Sequence, residues 1–272
     1  MIEFKATGNI LCVDILLELF QYFYVDELFN LFNDIIHQFP LLLKKENVQL
    51  HVRHIDTRFR KYILPKIEIS NVISIRIENV YHMAKVNLGQ FDRVNLLTLN
   101  NVTVHNWPAN FPHNLKSLIV YVRSKDRQQV FTKALGLVNL ERLEFNSSFL
   151  HFHYCDDILV EPSTVKHLVF NSQRCRIDYQ FLLKNIPYLQ SLKSTNTYYA
   201  HLFNQNLAKF NDLHTIDLAC KYLDIQKMIF VLTNIASNSL RRCRLININS
   251  SLPSCIADVL ISSYFPDFYT AS

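Results

Sequence analysis

The chain has 272 residues, 49% of them hydrophobic and 19% charged, with 28 Lys and Arg against 23 Asp and Glu for a formal net charge of +5. That apolar fraction excludes a disordered chain, and the length suits one or two folded domains. Only three glycines occur, Gly8, Gly89 and Gly136, all far apart; phosphate-cradling loops, dinucleotide fingerprints and nucleophile elbows each need several together and are excluded. The longest basic clusters are Lys44-Lys45 and Arg241-Arg242-Cys243-Arg244. They are too short for the charged stripe of a nucleic-acid binder, so no nucleic-acid partner is expected. The six cysteines form no CxxC pair, which gives no ribbon-type zinc spacing and suits the reduced thiols of the cytoplasm or nucleus. The start of the chain shows no leader pattern, and the later apolar stretches carry too many charges for a span of about 20 residues. No membrane association is expected.

The first pattern in chain order is helical. Ile15, Leu16, Leu19, Phe20 and Phe23 share one face at i, i+1, i+4, i+5, i+8 spacing. Asp26 is placed to cap a second helix that carries Leu28, Phe29, Phe32, Ile35, Ile36 and Phe39. Pro40 opens a third apolar segment, Leu41-Leu42-Leu43. This stretch resembles an F-box, whose motif reads L-P-x-E-I-L-x-x-I-F-x-Y-L-x-x-x-D-L. Leu11, Ile15, Leu16, Phe20 and Tyr22 match it directly; Leu19, Phe23 and Asp14 match by type, and Asp26-Glu27-Leu28 spreads the final pair by one residue. Cys12 stands where the motif has proline, and the usual tryptophan of the third helix is absent. The resemblance implies a domain over residues 8–45 that docks a Skp-type adaptor and through it a cullin scaffold. By motif position the adaptor-binding residues would be Leu11, Cys12, Ile15, Leu16, Leu19, Phe20, Phe23 and Leu28. Read from the residues alone, the same stretch is an amphipathic cap for whatever follows it.

Val48 to Val52 reads as a strand, and Ile55 to Ile67 as a helix ending near Pro65. Then a repeat begins. An apolar-x-x-apolar-x-apolar template fits Val72-x-x-Ile75-x-Ile77, Val94-x-x-Leu97-x-Leu99, Leu115-x-x-Leu118-x-Val120 and Leu140-x-x-Leu143-x-Phe145. It fits again at Val165-x-x-Leu168-x-Phe170 and Leu213-x-x-Ile216-x-Leu218, with degraded copies at Leu189-x-x-Leu192-x-Ser194 and Leu240-x-x-Cys243-x-Leu245. The middle positions are 21 to 27 residues apart. Alternation of this kind puts two apolar side chains on one face of a short strand and the intervening one on the other. Between strands, Arg174 to Ile186, Tyr198 to Phe210 and Asp224 to Ala236 read as helices. The period and template resemble the leucine-rich repeats. The expected fold is therefore α/β: the helical F-box, then a leucine-rich-repeat solenoid over residues 46–272, with about eight recognisable repeats and a C-terminal cap. Small polar residues follow the last apolar position by two, at Asn79, Asn101, Ser147, Ser172, Asn196, Cys220 and Asn247, where their side chains suit a turning backbone.

Chemistry is scarce. His151-x-His153-x-Cys155 offers zinc-ligand types but no fourth ligand at a recognisable spacing; it reads as a loop, although a metal-dependent hydrolase built on it is a distinct reading. No metal, cofactor or catalytic residue is expected. The binding surface is expected on the outward strand positions: Arg76, Glu78, Thr98, Asn100, Tyr121, Arg142, Glu144, His167, Lys193, Asp217, Arg242 and Arg244. With the resemblance, these would hold a protein substrate on the concave face, in a non-catalytic substrate receptor of an SCF-type ubiquitin ligase. A repeat scaffold outside any ligase is the other reading.

Overall fold

The computed structural model describes residues 13–33, 39–46, 48–78, 87–123, 125–148, 150–151, 161–172, 175–176, 179–198, 210–220 and 241–247. The chain is α/β, and every strand pairing among the described residues is parallel. It divides into two compact units, Met1–Val120 and Tyr121–Ser272. The N-terminal helices and the first strands fall in the same unit.

The first unit opens with helices α1 (Val13–Phe20), α2 (Val25–Phe32) and α3 (Phe39–Leu42). Phe20, Phe29, Phe32 and Phe39 form its aromatic cluster, with Phe39 edge-on to Phe20 at 5.6 Å and to Phe29 at 5.2 Å. The N-cap of α2 is Tyr24, not Asp26: the Tyr24 N–H donates to the Glu27 carboxylate at 2.9 Å. Asp26 is instead a first-turn acid, favourable beside the positive end of the helix dipole. Asn71, buried at the start of the repeats, donates to the carbonyls of Leu43 at 3.1 Å and Lys45 at 2.8 Å, which fastens the residues after α3.

Strand β1 (Leu50–Arg53) lies close to the expected one. The helix expected over 55–67 is not a single α-helix. A π-turn over Phe59–Ile63 runs into a 3-10 turn over Leu64–Lys66, where Pro65 has no N–H to continue a ladder. Strands β2 (Val72–Ile77), β3 (Leu96–Asn100) and β4 (Ser117–Val122) follow the first three repeats, and the boundary between the units falls within β4. Ile75 sits opposite Leu97 in the β2–β3 register. In the link between β3 and β4, Asn106 and Thr103 exchange backbone-to-side-chain bonds at 2.6 and 3.3 Å. Asn101 begins that link in the left-handed region at φ 58°, which asparagine tolerates.

In the second unit, helix α4 (Arg127–Leu135) precedes β5 (Arg142–Ser147) and the two-residue β6 (Leu150–His151). Strands β7 (His167–Ser172) and β8 (Cys175–Arg176), helix α5 (Tyr179–Asn185), and strands β9 (Ser191–Tyr198), β10 (Thr215–Cys220) and β11 (Arg242–Asn247) follow. The helix expected from Arg174 starts only at Tyr179, because Cys175 and Arg176 pair in register with β6 and β9. Tyr198 ends a strand rather than opening a helix; residues 199–209 of that expected helix, and the one expected over 224–236, fall outside the described residues.

The template positions align across strands. Leu143, Leu168, Leu192, Ile216 and Cys243 occupy one register line. The leading residues Leu140, Val165, Leu189 and Leu213 are fully buried, as are Leu143, Leu168, Leu192 and Ile216. A second device repeats with the same period. The carbonyl of Glu141 accepts from the N–H groups of both Lys166 and His167; Lys166, Gln190 and His214 do the same for the residue that precedes the next strand and for that strand's first residue. Each of these repeats is thereby locked to the one before by two donors on one carbonyl.

Ser194 marks the degraded copy. It stands in the line of Phe170 and Leu218, 2% exposed, and its hydroxyl has no hydrogen-bond partner among the described residues. A buried hydroxyl without a partner costs free energy. Ser194→Ala is therefore expected to stabilise the second unit by roughly 0.5–1 kcal/mol, read as a rise in the urea midpoint; a fall would show that the hydroxyl is satisfied.

Candidate functional site

The outward strand positions gather into transverse rows. In the second unit Arg142, His167, Ser191, Thr215 and Arg242 share one register row. Glu144, Val169, Lys193, Asp217 and Arg244 share the next. Adjacent strands bring neighbours in a row about 4.8 Å apart, so Asp217 lies between Lys193 and Arg244. Arg142, His167, Lys193, Arg242, Arg244 and Tyr121 are exposed; Glu144 and Asp217 are half-buried. Glu144 is held by its surroundings: the Asn171 amide donates to it at 2.9 Å and the Asn146 amide at 3.4 Å, and Arg142 lies 4.0 Å away. In the first unit Arg53, Arg76 and Thr98 share a row. Arg76 pairs with Glu78 at 3.2 Å, and Thr98, Asn100 and Glu78 are half-buried. Every strand residue expected on the binding face thus reaches solvent.

Two strand histidines, His51 and His167, have lowered pKa values. Burial pushes His51 down, against a smaller upward pull from a backbone hydrogen bond with Gln21. Its Nδ1 and the Ser74 hydroxyl lie 2.6 Å apart in a hydrogen bond. Burial, then Arg142 and Lys166, push His167 down, with Glu141 opposing. A histidine depressed in the folded state binds fewer protons than the unfolded chain once the pH falls to the unfolded value. The stability is whole above that value and is lost as the pH drops through it. Thermal midpoints are expected to fall between about pH 7.5 and pH 5.5, around the ordinary imidazole value, and to fall less in a His51→Gln, His167→Gln variant. Equal pH slopes in the two proteins would show that neither histidine is responsible.

The N-terminal helices meet the first strand through a polar group that the sequence pattern did not single out. Tyr24 forms a parallel bridge with His51. Arg53 reaches Asp26 at 3.3 Å and Glu27 at 3.1 Å, and its guanidinium lies 4.8 Å from the Tyr24 ring centroid. Burial disfavours the Arg53 charge, but Asp26, then Glu27 and Tyr24, outweigh it and raise its pKa. Asp26 and Glu27 are adjacent in the acidic first turn of α2 and Arg53 is on a strand, so only the fold joins them.

The adaptor residues expected from the motif separate by exposure. Leu16, Phe20 and Leu28 are 0% exposed and belong to the core, out of reach of any docking partner. Ile15 is 51% exposed; Leu19 and Phe23 are half-buried. Leu11 and Cys12 lie outside the described residues. Each helix leaves one aliphatic side chain in solvent: Ile15 on α1, Leu31 on α2 and Leu41 on α3. A motif matched by apolar type does not separate the inward residue from the outward one beside it.

Of the HxHxC segment, His153 and Cys155 lie outside the described residues, and His151 is placed only as a β6 strand position. Among the described residues no group of three His, Cys, Asp or Glu is arranged to hold a metal ion, and no helix is long and apolar enough to cross a membrane. In comparisons with protein-family models, curated proteins and solved structures, nothing matches the chain.

Proposed function

We propose that this chain is a non-catalytic substrate-recognition subunit of an SCF-type ubiquitin ligase: an F-box that docks a Skp-type adaptor, followed by leucine-rich repeats that hold a protein substrate. The observation that carries this reading is the pairing of two features in one chain. Three short amphipathic helices with an F-box-like motif precede parallel strands that recur every 21 to 27 residues with their template positions in register. Stacked strands of this kind offer a broad face suited to a protein partner. The two rows of the second unit carry Arg142, Lys193, Arg242 and Arg244 against Glu144 and Asp217, which favours a substrate with an acidic surface. Such a subunit does no bond chemistry; it raises the local concentration of the acceptor lysine beside the charged enzyme.

The bridge from Tyr24 to His51 and the ion pairs of Arg53 favour a second reading, in which the helices only cap a repeat scaffold. Co-expression with a Skp-type adaptor separates the two. The wild type is expected to retain the adaptor, and Ile15→Asp, a change at an exposed position, to lose it with an unaltered circular dichroism spectrum and melting point. A folded wild type that retains no adaptor favours the scaffold.

A further inference from the structure

Helix α4 begins with a charge of the wrong sign. Arg127 is its first residue, no acid occupies its first turn, and the N-cap Asp126 makes no side-chain capping bond. The start of a helix carries partial positive charge, so a guanidinium there is disfavoured unless an anion joins it. Among the described residues Arg127 has no such counter-ion, and its one acceptor is neutral: Nη2 donates to the Ser148 hydroxyl at 3.1 Å. Arg127 is half-buried, and its Nε is shielded from water and has no acceptor.

Nε–H and Nη2–H lie along one edge of the guanidinium, the edge that grips two oxygens of a single carboxylate or phosphate. In this chain that edge holds one hydroxyl oxygen at Nη2, and Nε is left over. A buried donor without an acceptor carries a desolvation cost that a second oxygen beside the first removes. Ser148 follows the last residue of β5 and precedes β6, and it is exposed. A second enzyme therefore reaches the hydroxyl that Arg127 already touches. A half-filled anion grip whose only acceptor is an accessible hydroxyl points to an anion built on that hydroxyl.

We propose that Ser148 is a phosphorylation site and that Arg127 receives its phosphate. In the transfer the Ser148 oxygen bonds to the γ-phosphorus of a nucleoside triphosphate. The bond from that phosphorus to the nucleoside diphosphate breaks, and the hydroxyl proton passes to a base of the protein kinase that carries it out. The product brings three acceptor oxygens and a charge of about −1.5 to −2 at pH 7. One oxygen takes the Nε bond while another keeps Nη2, and the charge falls beside the start of α4, where an anion is favoured. A charge-assisted pair then joins the start of α4 to the end of β5 in place of a neutral bond. The site needs neither an adaptor nor a substrate on the strand rows, so it stands or falls apart from the ligase reading.

The test places phosphoserine at position 148 of the full chain by genetic encoding and follows its phosphorus resonance against pH. The second ionisation of phosphoserine, ordinarily near about pH 6, is expected lower in the folded chain than in the same chain unfolded in urea, because Arg127 favours the dianion. Arg127→Gln, which keeps a donor for the serine oxygen, should bring the folded value back to the unfolded one. The thermal midpoint of the phosphorylated chain at low salt should exceed that of the unmodified chain by about 2–4 °C, a shift in keeping with one such pair in a chain of this size. That rise should vanish in Arg127→Gln. A folded phosphoserine that ionises as in the unfolded chain overturns the proposal, as does a midpoint that does not rise or a rise that survives Arg127→Gln. Mass mapping of the chain recovered from its source cells, with phosphatases inhibited, is the second arm. Phosphate on Ser148 supports the site, and Ser148 found only unmodified overturns it.

Discussion

Phe131→Ala is expected to destabilise the second unit by about 3–5 kcal/mol, the range for removing a fully buried phenylalanine. Phe131 is 0% exposed on α4. Its ring meets Phe145 edge-on at 5.2 Å, Phe170 at 5.5 Å and Phe181 at 6.4 Å. Two of those partners are last-position residues of consecutive repeats and the third belongs to α5, so one side chain joins two strands to two helices. The void left by truncation has no neighbour free to fill it, because Val130, Ala134 and Leu135 are already buried on the same helix face. Urea unfolding followed by far-ultraviolet circular dichroism reads the loss. A change within about 0.5 kcal/mol, typical of surface positions, would mean that α4 does not pack on the strands as described.

Phe39→Ala should cost a similar amount, about 3–5 kcal/mol, in the first unit. Phe39 is 0% exposed and lies 5.6, 5.2 and 5.9 Å from the rings of Phe20, Phe29 and Phe32. Helix α3 has four residues, far below the length at which a helix holds itself, so tertiary packing alone keeps it. Loss of the ring should release α3 and uncover Phe20. Should the chain dock an adaptor as proposed, the same variant separates folding from docking: it would lose the adaptor through unfolding, whereas Ile15→Asp would lose it while folded. Near-ultraviolet dichroism and the thermal midpoint of Phe39→Ala are the readouts, and an unshifted midpoint would refute the aromatic cluster as the anchor.

The strands were readable before the fold because their signal is local. A two-residue alternation inside an apolar stretch suffices, and its recurrence found even the copies ending in Ser194 and containing Cys243. Those two form strands because their neighbours impose the register, not because their own residues demand it. The connections were less readable. Cys175 and Arg176 sit in a helical pattern but pair as a strand, a tertiary preference overriding a local one. Helix α4 escaped notice because its buried face is two adjacent pairs, Val130-Phe131 and Ala134-Leu135, between polar residues. At α2, Asp26 and Glu27 are both acids at a helix start, and the sequence does not reveal that Glu27 makes the capping bond. The Arg53 group joins position 26 to position 53, and no spacing rule spans that distance. The outward strand rows followed directly from the template; the inward burial of Leu16, Phe20 and Leu28 did not.

The single bridge between Tyr24 and His51 also bears on solubility. Strand β1 is the outermost of its ladder, paired with β2 on one side only. An unpaired strand flank is a template for any extended chain that meets it. Tyr24 and the helices on either side of it blunt that flank, and Arg53 places a charge there whose counter-ions come from the same helix. The N-terminal segment thus guards against self-association whatever else it docks. A protease cut that released it would leave a repeat array whose first strand is open to pairing with its own copies.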